Sequence, residues 1–166
     1  NRAADGVDII IHAAALKIVP TAEYNPFETV KTNIIGAMNI IDVAIEKKVK
    51  KVIALSTDKA CDPINFYGAT KIAGEAMFTA FYERYKVPFV GLRYMNVYGP
   101  RQDYRGAYIA VIMKMLDAID QGVRPVIYGS GDEAFDFIAV EDCARANICA
   151  MKSDSADTKW RWRNLC

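Results

Sequence analysis

The sequence is poor in the residues that most often do chemistry by themselves. Its single histidine, His12, leaves no material for a histidine-centred triad or metal cluster. The four cysteines, Cys61, Cys143, Cys149 and Cys166, make no C-x-x-C pair and have no metal-ligand spacing. They read as reduced thiols of a cytoplasmic protein, and no metal is expected. No apolar run approaches the length of a membrane span. Asn1-Arg2-Ala3-Ala4-Asp5 is polar and has no signal-peptide pattern. The formal net charge is +1, so nothing in the bulk charge points to nucleic acid or an anionic membrane surface. Near the N-terminus there is no G-x-G-x-x-G, strict or relaxed, to cradle a pyrophosphate on a helix N-terminus.

What is there is ordinary for a globular domain: 166 residues, 52% hydrophobic and 25% charged, enough for one real core. Val7 to His12 is a short apolar run followed by three alanines, which reads as a strand buried on both faces. Asn25-Pro26-Phe27-Glu28 reads as a helix start, with Asn as cap and Pro at the first helical position. Phe27, Val30, Ile34, Met38, Ile41 and Ile45 then recur at helical spacing. Val52 to Leu55 is a second buried strand, about Tyr67 to Tyr85 a helix, and Phe89 to Tyr94 a third strand. Strand, helix, strand, helix, strand is the pattern of a doubly wound parallel sheet, in which ligands bind outside the carboxyl ends of the strands.

Beyond Gly99-Pro100 the pattern changes. The spacing predicts a helix from roughly Ala107 to Gln121, closed by Gly122. Short strands are expected at Val126–Tyr128 and Phe135–Ile138, with a turn at Gly129–Asp132 between them. A last helix should begin at Glu141-Asp142. Ser153 to Cys166 shows no helical or strand period.

The most polar stretch, S-T-D-K-A-C-D-P-I-N-F-Y-G-A-T-K, spans Ser56 to Lys71 and follows the second strand directly. Four residues apart on a helix, Tyr67 and Lys71 share a face. A free phenol, with a pKa of about 10, is too weakly acidic to serve as a base at neutral pH, and a neighbouring ammonium favours the phenolate. With a hydroxyl from Thr57 to bond the substrate oxygen, these groups suit oxidation of an alcohol while hydride leaves to NAD. A Tyr/Lys pair alone would be a half-buried surface pair; its place at a strand tip argues for catalysis.

Y-x-x-x-K with an upstream Ser-Thr resembles the short-chain dehydrogenase/reductase superfamily. Three further segments resemble its extended branch, the NAD-dependent nucleotide-sugar epimerases and dehydratases: His12-Ala13-Ala14-Ala15, Lys31 to Gly36, and Arg93-Tyr94-Met95-Asn96-Val97-Tyr98-Gly99-Pro100-Arg101. The likeness runs from about Ala3 to Lys152. It implies an α/β fold: part of a Rossmann-type doubly wound parallel sheet, with part of a small C-terminal substrate-binding cap. Residues 1–99 would be the C-terminal part of an NAD-binding domain, 100–152 a partial substrate-binding region, and 153–166 a tail without order. NAD, with NADP as the alternative, would meet His12, Ala13, Ala14, Ala15, Asn33, Ser56, Tyr67 and Lys71. A nucleotide-diphosphate sugar would meet Lys17, Asn96, Arg101 and Arg105. The resemblance further implies a homo-oligomer in the cytoplasm, with no nucleic acid or membrane partner.

Asp58-Lys59 narrows the reaction. Where 4-epimerases of this branch carry small uncharged residues, T-D-K-A resembles the inverting 4,6-dehydratases. Oxidation at C4 acidifies the C5 proton, which Lys59 would take as a neutral amine, while Asp58 would protonate the departing C6 hydroxyl. The segment from Arg93 to Ile109 is closer to 4-epimerases, so 4-epimerisation stands as the alternative. A non-catalytic Rossmann-like binding piece is a third reading, because the glycine loop is missing. That gap leads us to expect a fragment of a longer enzyme, inactive alone. Phe135 stands where related proteins often carry an arginine before Asp136-Phe137.

Overall fold

Strand β2, Lys51–Thr57, organises the molecule, with six of its seven residues buried. Its side chains alternate between two cores. Val52 and Ala54 face Ile41, Ala44, Phe78 and Phe89, while Ile53 faces Val90, Leu92 and Ala150. A strand covered on both faces needs apolar residues at every position, which is why Val52-Ile53-Ala54-Leu55 shows no polar alternation. The computed structural model describes residues 2–102, 110–153 and 161–165.

Beside β2 lie β1 (Ile9–His12) on one side and β3 (Phe89–Tyr94) on the other, both parallel to it. β6 (Arg161–Leu165) pairs with β3, giving a four-stranded parallel sheet of order β1-β2-β3-β6. Helices α1 (Val19–Tyr24), α2 (Pro26–Val30) and α3 (Gly36–Glu46) connect β1 to β2, and α4 (Phe66–Tyr85) connects β2 to β3. Past the sheet, β4 (Asn96–Tyr98) and β5 (Phe137–Ala139) form a separate parallel pair, with α5 (Val111–Asp120) between them in sequence. α6 (Val140–Lys152) returns to the main sheet. The α/β architecture with parallel sheets is therefore the one the βαβ pattern predicts.

Several expectations are corrected. β1 is an edge strand, and Ile11 is 48% exposed rather than buried. Between α2 and α3 the helix widens into a π turn, Lys31–Ile35. The extra residue shifts the inward face, so that Thr29, Asn33, Ala37, Ile41 and Ala44 are buried while Phe27 is 82% exposed. A constant 3.6-residue period cannot anticipate that shift. Val126–Tyr128 forms no strand; those side chains are exposed, and β5 takes the place beside β4 instead. α6 starts at Val140 with Glu141 and Asp142 in its first turn, as expected, but it packs on the sheet through Ala150 rather than standing with a cap. Residues 161–165 are a strand, not part of an unordered tail. Trp160-Arg161-Trp162-Arg163 does alternate with period two, a pattern too short to read without its partner β3.

Candidate active site

β1 and β2 end side by side at His12 and Thr57, and α4 begins over the tip of β2. Asn65 caps α4, its Oδ1 accepting from the Gly68 amide at 2.8 Å. A Cβ on Gly68 would lie 2.2 Å from the Lys59 carbonyl oxygen. A glycine therefore lets the first turn of α4 rest against the short 3₁₀ turn Asp58–Ala60. That close approach brings Tyr67 to Thr57.

The Tyr67 hydroxyl hydrogen-bonds the Thr57 side chain. Thr57 Oγ1 donates to Asp58 Oδ1 at 2.8 Å, and Lys59 Nζ donates to Asp58 Oδ1 and Oδ2 at 3.2 and 3.4 Å. Tyr67 and Thr57 are buried, whereas Asp58 and Lys59 keep a third or more of their side chains exposed. Thr57 Oγ1 also lies 3.4 Å from the Lys59 amide. The four residues singled out at this tip thus form one connected set.

Lys71 sits one turn on from Tyr67, but its ammonium donates to the Leu55 carbonyl at 2.7 Å. Burial draws its pKa down, and the Glu75 charge holds it up. Burial also pushes the Tyr67 phenol above its ordinary value; the Thr57 hydrogen bond opposes this and the Asp58 charge adds to it. Lys71 had been expected to lower the phenol, but desolvation outweighs any such effect here. His12 is buried against Phe78, and burial, then the Lys71 charge, lowers its pKa. The ring is therefore neutral at pH 7.

The remaining residues expected at a cofactor have distinct surroundings. His12, Asn33, Ser56 and Lys71 line one small cavity at the strand tips. Ala13 and Ala14 are exposed at the tip of β1, and Ala15 is half-buried. Asn33 is engaged with protein: its Oδ1 accepts from Leu16 N at 2.8 Å, and its Nδ2 donates to Leu16 O and Thr70 Oγ1 at 3.0 Å each. It fixes the loop after β1 to α4. The Ser56 hydroxyl donates to Glu75 Oε1 at 2.5 Å, inside the sheet–helix packing.

Glu75 and Arg93 went unnoticed in the sequence. The Glu75 carboxylate, 5% exposed, takes two donors from the Arg93 guanidinium and one from Ser56. The available signal was spacing: Glu75 follows Lys71 by four residues and so shares its face with Tyr67.

A second cavity, of 330 Å³, is lined by Lys17, Tyr98, Arg101, Gln102 and Val140 among others. It brings together two of the four residues expected at a substrate, Lys17 and Arg101. Gln102, not anticipated, has a buried Oε1 without a hydrogen-bond partner. Asn96 instead ties β4 to β5, its Nδ2 donating to Asp136 O at 3.1 Å. Arg105 lies outside the described residues. Among the described residues no cluster of His, Cys, Asp and Glu could hold a metal ion, and no helix is long and apolar enough to cross a membrane.

Comparison with known proteins gives this site a context. The family described as polysaccharide biosynthesis protein matches residues 1–123. Over 98 residues the chain is 56% identical to an inverting UDP-N-acetylglucosamine 4,6-dehydratase of Campylobacter jejuni subsp. jejuni (strain 81-176), covering 57% of this chain and 29% of that one. A solved UDP-N-acetylglucosamine 4-epimerase from Methanobrevibacter ruminantium M1, in complex with UDP-N-acetylmuramic acid, matches with a TM-score of 0.89 at 33% identity. That match covers 99% of this chain and 56% of the epimerase. MoeE5, in complex with UDP-glucuronic acid and NAD, matches with a TM-score of 0.81 at 25% identity, over 99% of this chain and 58% of that one. The chain thus spans under a third of the dehydratase and little more than half of the two solved structures. By the family match over most of its length, the chain belongs to the polysaccharide biosynthesis proteins of the NAD-dependent epimerase/dehydratase group.

Proposed function

We propose that the protein modifies a nucleotide-diphosphate sugar by 4,6-dehydration through a transient 4-ketone. The observation that carries this reading is the connected set Tyr67–Thr57–Asp58–Lys59, which adds an acid and a base to an alcohol-oxidising pair. The 56% identity with the inverting dehydratase supports it.

The strand tips fit NAD, the cofactor present in the MoeE5 complex. Exposed Ala13 and Ala14 put little side chain in the way of a flat ring, and Ser56 and Lys71 supply polar groups beside them. Bound there, the cofactor accepts hydride from C4 and returns it to C6. Tyr67, as phenolate, takes the C4 hydroxyl proton, and Lys71 supports the phenolate with its charge. The C4 ketone acidifies C5. Lys59 removes the C5 proton, and Asp58 protonates the C6 hydroxyl as it leaves. Lys17 and Arg101 offer cations to the diphosphate.

The mass of the product tests the proposal in the whole protein. Dehydration removes one water. An unchanged mass with inverted C4 would establish 4-epimerisation instead, the reading favoured by the match to the Methanobrevibacter ruminantium epimerase over 99% of the chain. Titration calorimetry with NAD addresses a non-catalytic role: no heat with the whole protein would support a binding module of another kind.

A further inference from the structure

Dehydration and epimerisation differ in the fate of one proton. In a 4-epimerisation the C4 oxygen becomes a hydroxyl again, so the proton taken by Tyr67 returns to it. In a 4,6-dehydration the C4 oxygen stays a ketone, and that proton is left on Tyr67 after every turnover. Meanwhile the departing hydroxide takes a proton from the Asp58–Lys59 pair. The cycle therefore ends with one proton too many on Tyr67 and one too few on the pair.

We infer that Thr57 is a proton relay that corrects this imbalance, passing the C4 hydroxyl proton from Tyr67 through Asp58 to Lys59 in each turnover. The inference rests on the dehydratase reading. Its geometric basis is a continuous wire: Tyr67 Oη, Thr57 Oγ1, Asp58 Oδ1, Lys59 Nζ, with the last two links at 2.8 and 3.2 Å. The Thr57 hydroxyl has one proton and two lone pairs. It donates to Asp58, and Tyr67 and the Lys59 amide, at 3.4 Å, lie on its accepting side. Little capacity remains for a substrate oxygen, so Thr57 links two catalytic groups instead of touching the sugar.

The protons balance as follows. At the start Tyr67 is a phenolate, and the pair carries one proton. The C4 hydroxyl proton moves to Tyr67 as the C4–H bond yields its hydride. Within the pair, Asp58 holds the proton while Lys59, as amine, removes the C5 proton. The C6–O bond breaks, and hydroxide leaves with the Asp58 proton as water. The hydride is returned to C6, and Lys59 gives its proton back to C5. Tyr67 then donates to Thr57, Thr57 to Asp58, and Asp58 to Lys59, which restores the starting state. The water released carries hydrogen from both substrate hydroxyls, and no solvent proton is consumed. Lysine is the necessary terminus. Phenol and alkylammonium have ordinary pKa values of about 10 and 10.4, whereas a carboxylic acid lies roughly six units lower. A carboxylate can pass this proton on but cannot hold it.

The test is quenched-flow mass spectrometry of the whole protein with its sugar nucleotide, comparing the first turnover with later ones. Thr57→Val should release one equivalent of dehydrated product per site at near the wild-type rate, then turn over ~10²-fold more slowly, in line with loss of a proton-transfer group. Thr57→Ser should abolish the burst and restore steady turnover. The ultraviolet tyrosinate signal should recover after each turnover in the wild type and fail to recover in Thr57→Val. Wild-type-like steady turnover by Thr57→Val would overturn the relay. So would equal slowing of its first and later turnovers, which would make Thr57 a positioning residue. Wild-type product of unchanged mass would instead overturn the dehydration on which the relay rests.

Discussion

Lys51 and Ala150 are 99 positions apart, yet the Lys51 ammonium donates to the Ala150 carbonyl at 3.1 Å. The same ammonium meets Met151 O at 3.2 Å, and the Ser153 carbonyl and hydroxyl oxygens as well. A buried lysine at the start of β2 thus closes the C-terminal end of α6, where carbonyls lack intrahelical donors and the helix dipole favours a cation. Lys51→Met keeps the stem and removes the donors. Urea unfolding should show a loss of about 1–3 kcal/mol, the cost of leaving buried acceptors without partners.

The Glu75–Arg93 pair joins α4 to β3 beneath the catalytic turn. Glu75→Gln leaves a guanidinium that is 20% exposed without its counter-charge. The expected loss is about 3 kcal/mol, the lower end for a buried pair that loses one partner. Replacing both residues by methionine should recover part of that loss. If the double variant were less stable than Glu75→Gln, the pair would be stabilising in its own right.

His12, the only histidine, gives the fold a measurable response to acid. Its folded pKa is lowered, first by burial and then by Lys71, so the unfolded chain binds the proton more readily. Stability should therefore fall as pH drops below the ordinary histidine value of about 6.5, and level off below the folded pKa. In His12→Gln that component should vanish. Melts between pH 5 and pH 8, a window set by the ordinary value, would measure the difference.

Gly68→Ala places a Cβ 2.2 Å from a backbone oxygen and 3.0 Å from Pro63 Cβ. The first turn of α4 must move away from the Asp58–Ala60 turn. We expect a loss of about 1–3 kcal/mol on overpacking grounds. Turnover should fall much further than stability, because the same movement parts Tyr67 from Thr57. Wild-type activity in Gly68→Ala would show that this contact is not what positions Tyr67.

The catalytic tip was legible because its signals are local. A buried parallel strand has an uninterrupted apolar run, and Tyr67 and Lys71 share a helix face by spacing alone. What escaped depends on distant partners. Residues 161–165 become a strand only because β3 presents an open edge some seventy positions earlier. Val126–Tyr128 has strand-forming residues but no such edge. The π turn hides because a single extra residue rotates the helix without changing its composition. Glu75 looked like a solvated helix charge until Arg93 and Ser56 closed on it, and Asn33 looked like a ligand contact until Leu16 took both ends of its amide.

Asp58 and Lys59 also have an evolutionary meaning. Their side chains bond only each other and Thr57 among the described polar contacts, while the neighbouring Ser56–Glu75–Arg93 and Lys71–Leu55 links run on separate atoms. Two adjacent codons could therefore be exchanged without disturbing the scaffold that holds the alcohol-oxidising pair. On such a scaffold, lineages can diverge between returning a sugar's hydroxyl and discarding one by changing a dipeptide, with the rest of the protein left to follow its own drift.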